Sequence, residues 1–295
     1  MGAKIIDGKA ISQQIRSELK CEVEELIKHG VKPGLGVILA GDNPASQIYV
    51  RNKERACEKI GIYTLTKRLP AEISEGDLLS EIEQWNRDSS IHGILVQLPL
   101  PKHIDEHRVI ESVAPEKDVD GFHPYSVGKM VLGTPRFLPC TPAGIQELLL
   151  RSEVPTDGKH VVIVGRSNIV GKPLCNILLQ KAKGANATVT VCHTGTPDIS
   201  HFTRQADILI VAAGRPEVVK GDMIKENAVV VDVGVNRVDD ATQERGYRIV
   251  GDVEFESARQ VARAITPVPG GVGPMTIAML LRNTVMACRF QSNHP

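Results

Sequence analysis

Tyr49 and Lys53 stand four residues apart in the segment NPASQIYVRNKERACEKIG, so a helix there projects both from one face, about one turn apart. A ring and an amine presented together can address one ligand, the ring by stacking and the amine as a charge or, once deprotonated, as a base. The competing account of Lys53 is a surface lysine in the charged run RNKER. Gln97 closes the apolar run Gly93 to Gln97, and open parallel sheets bind ligands beyond such carboxyl ends, although a glutamine there also serves simply to cap a strand. Asp118 and Asp120 in PEKDVDG fall in a loop, where turn chemistry competes with ligand binding. The run PVPGGVGPMT, Pro267 to Thr276, is dense in proline and glycine just before a helix, which exposes N–H groups and permits close backbone approach to a ligand.

A second kind of chemistry sits at Gly165, where an apolar strand ends in GRSNIVGKP and a helix follows. That arrangement aims backbone N–H groups and a positive dipole end at a pyrophosphate. It departs from G-x-G-x-x-G, because Ser167 and Val170 replace the second and third glycines and Gly171 comes one residue late. It also fails as an ATP-type P-loop, since five residues separate its glycines and Pro173 follows Lys172. An ordinary glycine turn remains the alternative. The next strand ends in Cys192, His193, Thr194 and Gly195, without the carboxylate that NAD sites place there for the ribose. Arg166 and Thr194 offer a charge and a hydroxyl to a 2′-phosphate, which favours NADP over NAD; a solvated Arg166 is the competing reading.

The elements that must position these groups follow from periodicity. Ile11, Ile15, Leu19, Val23 and Leu26 predict an amphipathic helix from Gly8 to His29, stopped by Gly30. An apolar run at Leu35 to Leu39, a helix opened by Asn43 and Pro44 and closed by Gly61, a strand near Tyr63 to Lys67, a helix over about Ser74 to Asn86 and the run Gly93 to Gln97 come next. This alternation predicts a parallel sheet with helices on both faces. The stretch GTPRFLPCTPAG, Gly133 to Gly144, interrupts it and marks the domain crossing. Beyond it the β-branched runs Val161 to Val164, Thr188 to Cys192, Ile208 to Ala212 and Val229 to Val233 predict a doubly wound, Rossmann-like domain, and a last helix over about Pro274 to Arg289 is expected to return to the first domain. The expected division is residues 1–140 with 274–290 against 141–273.

Composition narrows the partners. The 35 basic and 35 acidic side chains cancel, and aromatic residues make up only 3%, so neither a basic field nor stacking platforms point to nucleic acid. Six cysteines without C-x-x-C or His/Cys ligand spacing argue against structural zinc and a dithiol centre, and are expected as reduced, mostly buried thiols. The N-terminus lacks an apolar signal segment, Ile6 stands where myristoylation needs Ser or Thr, and no run approaches a membrane span of about 20 residues. A cytoplasmic protein without a membrane partner is expected.

Together, Tyr49 with Lys53, the strand end Val96-Gln97-Leu98-Pro99, the loop Lys117 to Gly121, the turn GRSNIVGKP and the run PGGVGPMTI make the chain similar to the bifunctional methylenetetrahydrofolate dehydrogenase/methenyltetrahydrofolate cyclohydrolase family, from about Ile5 to Arg289. The resemblance implies a folate domain joined to an NADP domain, a homodimer, and two reactions at one cleft. In the first, 5,10-methylenetetrahydrofolate is oxidised to the methenyl cation; in the second, that cation is hydrolysed to 10-formyltetrahydrofolate. It implies Lys53, Gln97, Tyr49 and Asp120 as catalytic, with Lys53 the base, Gln97 holding its amine, Tyr49 stacking on the substrate rings and Asp120 accepting from the pterin edge. Implied substrate contacts are these four with Val96, Leu98, Pro269, Gly270, Gly271, Val272, Gly273, Pro274 and Thr276. Implied cofactor contacts are Thr141, Gly165, Arg166, Ser167, Val170, Thr194 and Val235. No metal is required, because the hydride has the nicotinamide ring as its acceptor. A dehydrogenase without the hydrolase, and a non-catalytic folate or dinucleotide sensor, are the alternatives; the intact Tyr49, Lys53, Gln97 and Asp120 argue against both.

Overall fold

The computed structural model describes residues 2–243 and 246–292. In chain order its elements are β1 (Lys4–Ile5), α1 (Gly8–Lys28), β2 (Gly34–Ala40), α2 (Pro44–Ile60), β3 (Tyr63–Leu69), α3 (Glu75–Arg87), β4 (Gly93–Val96), α4 (Glu106–Ser112), α5 (Pro124–Val131), α6 (Cys140–Arg151) and β5 (His160–Val164). Then follow α7 (Gly171–Leu178), β6 (Thr188–Cys192), α8 (Ile199–Thr203), β7 (Ile208–Val211), β8 (Val229–Asp232), β9 (Asn236–Asp239), β10 (Tyr247–Val250), α9 (Phe255–Val261), β11 (Ala264–Ile265) and α10 (Val272–Gln291). They form two compact units, Gln13–Cys140 with Ile277–Pro295, and Met1–Ser12 with Thr141–Thr276. The expected first domain began at residue 1; instead Lys4 and Ile5 pair with Ala264 and Ile265, a bond between distant segments that no local pattern announces.

In the first of these units β3, β2 and β4 make a parallel sheet with β2 central and buried along its whole length. Local chemistry sets the helix ends. The Asn43 side chain accepts from Ser46 N at 3.1 Å, Pro44 begins α2 where no N–H is needed, and Gly61 at φ +87° closes it in the left-handed region. Ser74 caps α3 in the same way through Asp77 N at 3.1 Å, and Leu78, Ile82 and Trp85, spaced by four and three, are buried with Ile38, Ile94 and Val109 in one core. Burying such side chains contributes about 1.5–3 kcal/mol each, enough to outweigh the modest propensities of a mixed sequence. Strand β4 stops at Val96, so Gln97 is the first residue past its carboxyl end. Ile94 N donates to Lys117 O at 2.8 Å, which brings the PEKDVDG loop alongside that strand.

The other unit carries a six-stranded parallel sheet in the order β1-β11-β8-β7-β5-β6. From β5 onward the successive parallel strands follow 2-1-3-4-5, so the order reverses between β5 and β7, one strand earlier than in the 3-2-1-4-5-6 arrangement. Its core joins Val162, Val164, Leu209, Val211, Val230 and Ile265, the β-branched and leucine positions of the sheet. The run Gly133 to Gly144 is less irregular than its composition suggests, because α6 starts at Cys140 and places Pro142 in its first turn. Strands β9 and β10 form a separate antiparallel pair. Among the described residues no helix is long and apolar enough to cross a membrane.

Candidate active site

Helix α2 presents Tyr49, 45% exposed, and Lys53, half-buried, one turn apart. The Lys53 Nζ donates to Gln97 Oε1 at 3.0 Å, a contact across 44 residues that joins the helix to the end of β4. The Gln97 amide is held in turn, since its Nε2 donates to Leu98 O at 2.7 Å. Such a chain fixes the amide's orientation and therefore where the amine sits. Leu98–Pro99 and Val268–Pro269 are cis peptides.

The two aspartates of PEKDVDG separate cleanly. Asp118 is buried and accepts from Gly121 N at 3.1 Å, Phe122 N at 3.2 Å and His123 N at 3.0 Å, so it is the group that builds the turn. Burial pushes its carboxyl up to about 6. Asp120 makes none of these turn bonds; burial raises its carboxyl above the ordinary value, opposed by the Lys53 ammonium and by the Cys140 thiol. Cys140 is itself buried, its thiol raised well above the usual range by desolvation and then by the Asp120 charge, and it donates to Val119 O at 3.4 Å. Amine, amide, carboxylate and thiol therefore belong to one polar group, able to accept a proton from water and to bind paired N–H donors. Composition gave no hint of Cys140 as Asp120's neighbour; its place 20 residues on in the chain hid it.

In the other unit the segment from Pro269 to Thr276, which runs into the first turn of α10, uses its glycines differently. A Cβ on Gly271 would lie 2.7 Å from Pro267 O, and one on Gly8 would lie 1.9 Å from Gly271 O, so these two serve backbone packing. Gly273, in the first turn of α10, is exposed, and nothing beyond its own helix lies within 4 Å of its Cβ position. Val272 begins α10, and Thr276 Oγ1 meets Thr141 Oγ1 at 2.9 Å, so one implied substrate contact and one implied cofactor contact share a hydrogen bond.

At the reversal of strand order, Gly165 follows β5 at φ +132°, where a Cβ would stand 2.1 Å from Ala212 O beyond β7. A Cβ on Gly171 would stand 2.0 Å from Gly165 O, which seats the start of α7 directly on the turn. Both approaches exclude any side chain and fit a dinucleotide pyrophosphate lying on backbone at a switch point. Ser167 is engaged in the turn itself, its hydroxyl accepting from Val170 N at 3.1 Å, while Val170 is buried as the cap residue of α7. Arg166, Thr194 and Val235 are exposed, and no carboxylate follows β6 through Gly195. Asp252, fully buried, accepts from Ala213 N, Gly214 N and Arg215 N at 2.7, 2.8 and 3.1 Å and so shapes the loop after β7; sequence reasoning passed over it, because a lone Asp in GDVEFE carries no local signature.

Fold and side chains define a class, that of two-unit α/β proteins pairing a doubly wound sheet with a glycine turn at its switch point and a parallel sheet bearing a lysine–amide–carboxylate group. Comparison with known proteins agrees. Residues 6–120 match the model for the tetrahydrofolate dehydrogenase/cyclohydrolase catalytic domain, and residues 139–292 match the NAD(P)-binding domain of the same family. The chain is 60% identical over 291 residues to the bifunctional protein FolD of Syntrophobacter fumaroxidans, covering 98% of each. Among solved structures it is 51% identical to the bifunctional methylenetetrahydrofolate dehydrogenase/cyclohydrolase FolD of Campylobacter jejuni, with a TM-score of 0.92 and coverage of 98% of this chain and 99% of that one. It is 42% identical to the Trypanosoma brucei enzyme complexed with NADP cofactor and inhibitor, with a TM-score of 0.94 and 99% coverage of both. The chain belongs to the tetrahydrofolate dehydrogenase/cyclohydrolase family.

Proposed function

We infer that the protein oxidises 5,10-methylenetetrahydrofolate with NADP and hydrolyses the methenyl cation to 10-formyltetrahydrofolate. The observation that carries the reading is the Lys53 Nζ to Gln97 Oε1 bond at 3.0 Å, with Asp120 electrostatically coupled to the same lysine, in a chain of this family. Tyr49 stacks on the substrate's rings, and the Asp120 carboxylate accepts from the amide N–H and amino group of the pterin edge. Pro269, Gly270, Gly271, Val272, Gly273, Pro274 and Thr276 are the further folate contacts that the family resemblance implies, and the exposed Gly273 leaves space for a ligand beside its Cβ position. The Gly165 turn, Arg166, Thr194, Thr141 and Val235 would hold NADP, whose oxidised nicotinamide ring would supply the acceptor for a hydride from the methylene carbon. In the second reaction water adds to the methenyl carbon and Lys53 takes the proton the water sheds; the C–N5 bond then breaks as the remaining hydroxyl loses its proton to become the carbonyl and N5 gains one, which leaves the formyl group on N10. Gln97 accepts one hydrogen of the Lys53 amine, which fixes where the amine sits relative to the substrate carbon.

The decisive experiment mixes protein, methylenetetrahydrofolate and either NADP or NAD, and follows cofactor reduction together with methenyl decay. NADP is expected to give the larger kcat/KM; an equal or reversed preference removes the phosphate reading. Arg166→Ala is expected to raise KM for NADP far more than for NAD, by up to about tenfold if one exposed charge-assisted bond of roughly 1.5 kcal/mol is lost. Matched losses with both cofactors assign Arg166 to the solvent instead.

The reading extends to a cytoplasmic homodimer. All six cysteines are free, four of them buried, as a reducing compartment allows, and sedimentation at micromolar concentration is expected to give twice the chain mass.

A further inference from the structure

Asn283 lies in α10, 5% exposed, in the middle of a helix where asparagine is a poor choice on propensity alone. Its side chain leaves the helix for the segment bearing Asp120. Nδ2 donates to Val119 O at 2.8 Å and to Leu138 O at 3.0 Å, and lies 3.7 Å from Cys140 Sγ. Two carbonyl oxygens settle the orientation of the amide, since its own oxygen turned toward them would only repel. The neighbouring Thr284, by contrast, spends its hydroxyl on Leu280 O of its own helix at 2.8 Å.

What Asn283 touches flanks Asp120 on both sides. The Val119 carbonyl belongs to the same planar peptide as the Asp120 N–H, so a bond to that oxygen fixes the plane from which the Asp120 side chain departs. Cys140 Sγ, approached by the Asn283 amide, donates its own proton to Val119 O at 3.4 Å and lowers the Asp120 carboxyl against the effect of burial. Leu138 O ties the backbone entering α6 into the same grip. One NH2 group thus restrains the backbone before Asp120 and the thiol that acts electrostatically on its carboxylate.

We propose that Asn283 is a positioning residue for folate binding, holding the Val119–Asp120 peptide and the Cys140 thiol so that the Asp120 carboxylate meets the pterin in one orientation. The proposal rests on Asp120 as the folate anchor. A fixed carboxylate accepts two convergent donors without losing freedom on binding, whereas a released one gives up part of that affinity to ordering.

Asn283→Leu keeps the volume and removes the donor. Tetrahydrofolate affinity by calorimetry is expected to fall about tenfold, KM for methylene- and methenyltetrahydrofolate to rise together, kcat to stay within about threefold and the Kd of NADP to stay unchanged. Asn283→Asp, of the same shape and without a donor when ionised, carries the same comparison should the leucine variant fail to fold. In an Asp120→Ala background the Asn283 substitution is expected to change tetrahydrofolate affinity by less than about twofold, because the group it positions is gone. A lower Tm with wild-type tetrahydrofolate affinity overturns the proposal, as do losses that multiply in the double variant. If Asp120→Ala alone leaves the affinity untouched, the anchor reading fails first, and that result is distinguishable from failure of the Asn283 proposal by itself.

Discussion

Lys53→Met is expected to separate the two activities, leaving methylenetetrahydrofolate oxidation measurable while cyclohydrolase activity falls by roughly 10²-fold or more, the usual cost of removing a general base. The two steps make opposite demands on the amine. Hydride loss builds positive charge on the folate and needs no proton acceptor, so an ammonium nearby gives it little help and can oppose it. Hydration of the methenyl cation needs a base, because the attacking water sheds a proton as the C–O bond forms. Methionine preserves most of the lysine stem's packing on α2. It also leaves Gln97 Oε1 without the donor that Lys53 provides at 3.0 Å, and the Gln97 amide keeps its bond to Leu98 O at 2.7 Å, so the strand end holds its shape. The measurement is hydrolysis of added methenyltetrahydrofolate, corrected for its uncatalysed rate, beside cofactor reduction. Near-wild-type hydrolysis returns Lys53 to the surface-lysine account.

Asp120→Ala is expected to weaken folate binding by about 10²-fold or more, since two charge-assisted bonds of roughly 1.5–3 kcal/mol each are lost. Stability is expected to move little. Burial raises the Asp120 carboxyl above its unfolded value, so the folded state prefers the protonated form and stability declines as pH climbs through the raised value. Ionising Asp120 therefore opposes folding, and Asp120→Asn is expected to keep or raise Tm while affinity drops. Asp118→Ala is the contrasting control. It strips the acceptor from three backbone N–H groups of the turn, at about 1–3 kcal/mol for each donor left buried, so Tm is expected to fall substantially. A large Tm loss in Asp120→Ala with unchanged folate affinity would assign Asp120 to the turn as well.

Much of this protein was legible locally. The spacing of Ile15, Leu19, Val23 and Leu26 set one face of α1, all four buried. Asn43, Pro44 and Gly61 marked the ends of α2, and Ser74 the start of α3, because caps act within three or four residues of chain. The runs around β5, β6, β7 and β8 were read within a residue or two, buried parallel strands being continuous in β-branched residues. Helical spacing placed Tyr49 and Lys53 on one face, and the glycine turn at Gly165 was visible as a strand end followed by a helix.

Tertiary structure decided the rest, for one physical reason: the deciding contacts join residues far apart in sequence. Strand β1 has two residues and exists only by pairing with β11, some 260 residues on. The order 2-1-3-4-5 depends on which strands pair, and strand sequences alone carry no address for their neighbours. Asp118 and Asp120 have the same chemistry two residues apart, and only the fold turned one toward three backbone N–H groups and the other toward Lys53 and Cys140. Gly271 and Gly273 likewise looked equivalent until packing closed the space around one and left it open around the other. Sequence by itself determined which chemistry the chain carries, because reactive groups are residue types at readable spacings; the fold determined which of two like residues performs it, because orientation and burial are set by the whole chain.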